Sequence, residues 1–363
     1  MKHIVCFHLF NDYSGSPKVL RVVLEGLLKR GYTVDLVTSR GGVLDELRSY
    51  PNLRMHGYNY HFSNRAAVTM LRYCAVQLYT FVLAFRWLLS RNTTFYINTL
   101  LPAGPALAGR LMGKRVVYHY HENAFVKGAF YSTLAAVMQR LAHRIVCVSG
   151  YQASFLKRQD KVTVVPNALT ADFVSRLKPD PEAAFGRKTV LMLGSLKEYK
   201  GTKEFIELSQ RLPQYRFVLV INDTQENIDK YLNDNGINVS GGGNLTIFSR
   251  QSDVSRFYNE ASIVLTLTNP RLAIETFGLT TLEAMTNALP VIVPTQGGIA
   301  ELVEDGVNGF KTDVMQLDVI ERQISMLLEN HNCYSAMAKS AKNCSKNYDD
   351  TQMCNRIEAI ITK

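Results

Sequence analysis

Apolar residues along the chain fall into two recurring patterns: short unbroken runs rich in Val and Ile, and longer stretches with helical spacing. HIVCFHL, TVDLVTS, TFYIN, RVVYHYH and RIVCVS are the short runs of the first half; KTVLMLG, YRFVLVI, LTIFS, SIVLTLT and PVIVP are those of the second. A run without polar alternation suits a strand covered on both faces, as in a parallel sheet. Strand and helix signals taken in turn predict an α/β fold. The two sets of runs are divided by LTADFVSRLKPDPEAAFGRK, residues 169–188, which is polar and contains proline. The expected architecture is two doubly wound Rossmann-like domains facing a cleft, residues 1–175 and 176–347. A linker is expected near 169–188, and a final helix at about 348–363 that packs back on the first domain.

One segment stands apart. RAAVTMLRYCAVQLYTFVLAFRWLLSRN, residues 65–92, leaves thirteen uncharged residues between Arg72 and Arg86, too few to span a bilayer. The first reading is a buried or half-buried helix of the first domain. The alternative is an interfacial helix with Tyr73, Tyr79, Phe85 and Trp87 near headgroups and its arginines on anionic lipid.

Composition adds little beyond globularity, with 47% hydrophobic and 20% charged residues. The distribution of charge says more. Residues 1–175 carry 21 Lys+Arg and 8 Asp+Glu, 21 − 8 = +13, whereas residues 176–363 carry 20 and 23, 20 − 23 = −3. The excess points to a polyanionic partner for the first half, either an anionic membrane surface or a phosphorylated acceptor. Nucleic acid ranks low, because no binding module is recognisable. The six cysteines are scattered without C-x-x-C or zinc spacing, so reduced core thiols and a cytosolic setting are expected. The opening MKHIVCFHLFNDYSG lacks a signal-peptide core, so secretion is not expected.

Candidate chemistry concentrates in ETFGLTTLEAM, residues 275–285. Eight positions on one helix would set two side chains roughly 80° apart, so Glu275 and Glu283 are not a proton-sharing pair. The spacing instead places Glu275 in a loop and Glu283 inside the helix that follows. The amides of Phe277, Gly278 and Leu279 then lie at a helix start, where a phosphate binds, and the expected role of the carboxylates is to accept from sugar hydroxyls and a ribose diol. An ordinary acidic helix start with one surface glutamate fits this stretch alone as well. Neighbouring segments favour the ligand reading. LMLGSLKEYKG places Lys200 near a helix start as a point charge for a diphosphate. PTQGGIAELVEDGVNGF supplies Gly297 and Gly298 at another strand-to-helix turn, and HLFNDYSGS supplies Gly15 and Ser16 at the first. All lie where open α/β sheets bind ligands.

E-x7-E enclosing FGL, followed by LPVI, a Gly-Gly turn and ELVEDG, resembles the family 4 glycosyltransferases of the GT-B fold, retaining enzymes that use nucleotide-sugar donors. The resemblance runs from the Ser-Gly turn at 14–15 to GVNGF at 306–310. It implies that Glu275 holds the donor sugar by its hydroxyls and that Glu283 binds the ribose. Phe277, Gly278 and Leu279 would lend amides to the diphosphate, with Lys200 as its main cation. Gly15 would admit the diphosphate and the acceptor, and His121, in YHYHENAF, would lean on the donor sugar. Ser195 is a departure, because the family usually has arginine there; Lys197 or Arg271 could supply the missing charge. Arg250, in FSRQSD, is the candidate contact to the base.

His119 and His121 share one face of a strand, but no third metal ligand follows and no D-x-D occurs, so metal-independent chemistry is expected and no cofactor is called for. The expected reaction is transfer of a sugar to a hydroxyl of a glycan or polyprenyl-diphosphate-linked acceptor with retention of configuration, as in capsule or O-antigen assembly in bacteria. The expected setting is the cytoplasm, with peripheral contact to the inner face of the plasma membrane. A sugar-nucleotide epimerase on the same fold and a non-catalytic nucleotide-sugar-binding scaffold are the alternatives. No G-x-G-x-x-G follows the first strand, which argues against a nicotinamide dehydrogenase.

Overall fold

The computed structural model of the chain describes residues 2–237 and 243–362. Seven strands, β1 (His3–Phe7), β2 (Thr33–Ser39), β3 (Leu53–Tyr58), β4 (Thr93–Asn98), β5 (Arg115–Tyr120), β6 (Arg144–Cys147) and β7 (Val162–Val164), form one parallel sheet in the order β3-β2-β1-β4-β5-β6-β7. Six more, β8 (Thr189–Gly194), β9 (Arg216–Ile221), β10 (Leu245–Phe248), β11 (Ile263–Leu265), β12 (Val291–Val293) and β13 (Gly309–Lys311), form a second in the order β10-β9-β8-β11-β12-β13. Strand order reverses between β1 and β4 in one sheet and between β8 and β11 in the other. Connections leave in opposite directions there, which opens a crevice at the carboxyl ends of the strands. The unbroken apolar runs are the central strands: every residue of β4 is buried, as is every residue of β11 and β12.

Three strands have no counterpart among the apolar runs: β3, β7 and β13. Each is at the edge of its sheet. An edge strand is covered incompletely, so LRMHGY, VTV and GFK carry no continuous apolar signal and stay largely half-buried.

The chain divides into two compact units, one of residues up to Ala168 together with Tyr348–Lys363, the other Leu169–Asn347. The stretch 169–188, expected as a linker, begins at the division between the units. It forms two short helices, Ala171–Arg176 and Pro181–Arg187, whose first turns are capped by the Thr170 and Asp180 side chains. Asn259 ties them down, accepting from the Lys178 amide at 2.8 Å and donating to the Arg176 carbonyl at 3.0 Å.

In the first unit the opening helix α1 (Gly15–Lys29) meets the final helix Asp350–Thr362. Met353, Cys354, Ile357, Ile360 and Ile361 are buried on that final helix, and Glu358 accepts from Arg30 at 2.8 Å and from the Tyr32 hydroxyl at 2.8 Å.

The apolar segment at 65–92 forms helix α2 (Ala66–Ala84), continued by a 3-10 turn Phe85–Trp87. It is far less covered than a core helix: only Tyr73, Thr80 and Ala84 of α2 are buried, with Trp87 just beyond. The four aromatics expected to act together divide, since Tyr73 and Trp87 face the core while Tyr79 and Phe85 are exposed. Core placement of the cysteines is also partial. Cys6, Cys147 and Cys354 are buried, Cys333 and Cys344 half-buried, and Cys74 is exposed on α2.

Candidate functional site

In the second unit, β8 ends at Gly194 and runs through Ser195 and Lys197 into a 3-10 turn, Glu198–Lys200, ahead of the helix Thr202–Arg211. Gly201 turns the chain at φ +75°, and a Cβ there would sit 2.3 Å from the Leu267 carbonyl oxygen. Glycine therefore lets this turn lie against the loop that follows β11. The Asn269 amide donates across the same seam to the Tyr199 carbonyl at 2.8 Å. This stitching brings the Lys200 ammonium to Glu275, with which it forms a half-buried ion pair.

Glu275 is held from two further sides. The Thr268 hydroxyl donates to the same carboxylate oxygen at 3.0 Å, and the Gly298 amide donates to the Glu275 carbonyl at 2.8 Å. Gly297, at φ +105°, comes so close that a Cβ would lie 2.6 Å from that carbonyl oxygen. The loops after β8, β11 and β12 thus converge on one residue, which accounts physically for a Gly-Gly turn downstream of the E-x7-E stretch. Burial alone would lower the Lys200 ammonium, but the adjacent Glu275 carboxylate more than offsets this and raises its pKa above the ordinary lysine value.

Glu283 lies within the helix Leu279–Thr286 and is buried, accepting from the Tyr258 hydroxyl at 2.5 Å. Burial first, and then the facing carboxylate, push the Tyr258 phenol well above its usual range, so it stays a donor. Asn287 steadies Tyr258 by donating to its carbonyl at 2.8 Å. The helix begins at Gly278, with no side-chain cap and no acidic residue in its first turn. Phe277 is buried beneath that start and Leu279 opens the helix. The positive end of the helix is therefore not compensated by the chain's own carboxylates in that turn. A cation paired with a carboxylate, a helix start without a side-chain cap and a buried carboxylate that accepts from a hydroxyl suit a ligand that is both a polyol and an anion.

The remaining candidates of this unit separate. Lys197 and Lys200 flank the Tyr199 ring, at 5.8 and 5.7 Å from its centroid. Lys197 therefore sits on the lysine turn, whereas Arg271 is exposed and ion-paired with Asp313 at 2.8 Å. Ser195 gives its carbonyl to the Thr202 hydroxyl at 3.1 Å. Arg250, after β10, donates to Asn222 at 2.9 Å.

In the first unit, Gly15 and Ser16 open α1 at the carboxyl edge of β1. The preceding loop is shaped by Asp12, which accepts from the Ser14 amide at 3.0 Å and its hydroxyl at 2.6 Å. His121 directly follows β5, its Nε2 3.0 Å from Asn98 Oδ1, while Asn98 Nδ2 lies 3.1 Å from His8 Nδ1. The His119 ring lies 4.1 Å from that of His121 and bonds the Tyr96 hydroxyl at 2.8 Å. Burial, and then the neighbouring imidazoles, hold the His121 pKa well below the usual histidine value, so the ring is neutral at pH 7. Among the described residues no group of three or more His, Cys, Asp and Glu side chains has a metal-binding arrangement.

Four supporting residues belong to none of the quoted motifs: Thr268, Tyr258, Asn98 and His8. They reach Glu275, Glu283 and His121 from other strands and helices, at separations that no local motif encodes. Position is the one hint for three of them, since Asn98, Thr268 and His8 lie at or near the ends of apolar runs.

Two family models match the chain in succession, Glycosyltransferase Family 4 over residues 13–173 and Glycosyl transferases group 1 over residues 175–346. A sucrose synthase from Beta vulgaris is 44% identical over 55 residues, which are 15% of this chain and 7% of the synthase. An uncharacterized glycosyltransferase from Haemophilus influenzae is 26% identical over 185 residues, 49% of this chain and 50% of that protein. The similarity thus spans half or less of the length of these curated relatives. Among solved structures, the Anabaena protein HepE in complex with UDP-glucose superposes with a TM-score of 0.77 at 18% identity, over 99% of both chains. With a Family 4 half and a group 1 half following one another on two doubly wound sheets, the chain belongs to the glycosyltransferases of the GT-B fold.

Proposed function

We propose that the protein transfers a sugar from a nucleoside-diphosphate sugar to a hydroxyl of a glycan or lipid-linked acceptor, with retention of configuration and without a metal ion. The carrying observation is the Lys200–Glu275 pair beside the uncapped helix start at Gly278. In this reading Lys200 and the amides of Phe277, Gly278 and Leu279 stabilise the departing diphosphate, the charge that develops as the bond to the anomeric carbon breaks. Lys197, on the same turn, supplies the second cation that Ser195 does not. Glu275 orients the sugar by its hydroxyls, Glu283 takes the ribose, and Arg250 contacts the base. In this reading the α1 start at Gly15 and Ser16 admits the diphosphate and the acceptor, and the neutral imidazole of His121 leans on the donor sugar. The acceptor oxygen attacks the anomeric carbon on the face the diphosphate leaves, and its proton passes to the leaving phosphate oxygen. Assembly of bacterial surface polysaccharide at the inner face of the plasma membrane is the setting that fits the basic first half.

UDP-glucose is the first donor to try, because HepE, of the same fold, was solved with it. The test is thermal-shift titration with nucleoside diphosphates and their sugars without added metal, followed by proton NMR of the product of the donor that binds. A shift from one diphosphate family and a retained anomeric configuration support the reading; no shift from a folded protein overturns it.

A further inference from the structure

Helix α2 presents a face to solvent that no other element covers among the described residues. Leu71, Leu78, Val82 and Leu89 are 71%, 66%, 62% and 91% exposed. Steps of seven and four residues align Leu71, Leu78 and Val82 along one side of α2, and Leu89 follows just past the 3-10 turn that ends the segment. Tyr73, Thr80, Ala84 and Trp87 form the side that is buried. The segment Ala66–Trp87 has the length and mean hydropathy of a membrane span, 22 residues at 1.4. It connects β3 to β4, however, and both strands belong to one sheet, so its two ends are held on the same body. A helix so held lies along a surface. The neighbouring helix α3 (Ala103–Leu111), locked close by the Gly104 amide donating to Gln77 at 2.9 Å, exposes Leu107 and Leu111 as well.

The charge around this face has one sign. Residues 47–121 contain nine arginines and lysines and no aspartate or glutamate. Where α2 ends, a pocket of about 450 Å³ is lined by Arg54, Arg86 and Arg91 together with His3, Ser90 and Asp35. Asp35 comes from β2 and is fully engaged, accepting from His56 at 2.6 Å, His3 at 2.7 Å and the Trp87 indole at 3.1 Å. Among the described residues the three arginines form no ion pair, so their charge stays available to an outside anion. The pocket opens at the amino ends of β1 and β2, where His3 and Thr33 lie, the opposite edge of the sheet from His121 and Gly15.

We infer that α2 and the arginine pocket at its end are a docking surface for an anionic bilayer, the leucine stripe entering the interface and Arg54, Arg86 and Arg91 taking lipid phosphate. Apolar residues on one side with arginines beside them are what an interfacial helix requires. A second copy of the chain is the poorer occupant, because self-association here would set like charges against each other. The inference deepens the proposed function by naming the surface, and rests on it only for the reason a transferase would work at a bilayer.

The test is co-flotation of the full chain with vesicles of phosphatidylglycerol and phosphatidylcholine against phosphatidylcholine alone, at low and high salt. Wild type floats with the anionic vesicles and is released by salt. Leu78→Ser/Leu89→Ser abolishes flotation, and Arg86→Ala/Arg91→Ala weakens it by roughly fivefold per arginine. Circular dichroism and diphosphate binding in the absence of vesicles remain unchanged in both, since none of these side chains lies in the proposed donor site. Wild type that stays at the bottom, or variants that float like wild type, overturn the inference while leaving the transferase reading intact. A concentration-dependent dimer that Leu78→Ser/Leu89→Ser dissociates, without flotation, assigns the face to a second copy and also overturns it. Failure of the wild type to bind any nucleoside diphosphate, with flotation normal, counts against the transferase reading alone.

Discussion

Lys200 and Glu275 are 75 positions apart in sequence and joined by an ion pair in the folded chain. Each lies on the segment that follows one of two adjacent strands, β8 and β11, so the pair joins the two loops at the switch point of its sheet. Glu275 keeps the lysine charged and aimed at the end of the sheet where a diphosphate would bind, and a bound donor would compete for that ammonium.

Removing either partner tests the assignment directly. Lys200→Ala and Glu275→Ala are each expected to lower donor turnover by roughly 10²–10³-fold, the usual scale for one electrostatic contact to a leaving group. Both variants should stay folded, because the pair is half-exposed rather than part of the core. Initial rates with the donor that binds, together with thermal midpoints, check this; a near-normal rate in either variant removes the pair from the mechanism.

Glu283 offers a split between binding and chemistry. Tyr258→Phe deletes the hydroxyl that donates to its buried carboxylate. The expected cost is about 1–3 kcal/mol of stability, measured by urea unfolding. If Glu283 binds ribose, the donor KM rises while kcat holds, the pattern of lost uniform binding. A fall in kcat at unchanged KM would contradict that role.

Backbone geometry should be as demanding as side-chain chemistry on the lysine turn. Gly201→Ala sets a Cβ at φ +75° and 2.3 Å from the Leu267 carbonyl oxygen, with an expected loss of more than about 1 kcal/mol. Turnover should drop with it, since the turn carries Lys200. Gly186→Ala is the control: nothing lies within 4 Å of a Cβ there. In the helix Pro181–Arg187 that change should be neutral or stabilising by up to about 1 kcal/mol.

Acid sensitivity follows from the buried imidazoles. Burial lowers His119 to about 3 and His8 to about 4, against an ordinary value of 6.5. Below pH 6.5 the unfolded chain takes up protons at these rings that the folded chain refuses. Stability is therefore complete above pH 6.5 and declines as the pH falls toward 4, by about 1.4 kcal/mol per pH unit for each ring. Urea midpoints between pH 7 and 5 measure the slope, and His119→Asn should reduce it. A flat profile would mean that the rings protonate in place.

The central strands were legible because a strand buried on both faces is mostly apolar, as β11 and β12 are throughout. The edge strands β3, β7 and β13 were not, since half-buried backbone pairing leaves composition free. The stretch at 169–188 fell at the division between the units, but its two helices were not legible, because polar residues such as Thr170 and Asp180 cap helices as readily as they line loops. Candidate site residues were readable where glycine turns follow strands. Their partners were not, because Thr268 and Tyr258 reach the two glutamates only after the sheet has assembled.

The final helix gives the first unit a feature absent from its linear order. The final helix packs on α1, with Cys354 against Val22 and Gly26; α1 was made more than three hundred residues earlier, and the whole second unit is translated in between. On a ribosome emitting the chain from its amino end, the unit begun first is thus completed last. Until residue 362 emerges, the nascent first unit carries an open apolar groove along α1, while the second unit already has all its strands. Chaperone engagement during synthesis is expected on that groove, and a stop codon ahead of Asp350 would leave it open permanently.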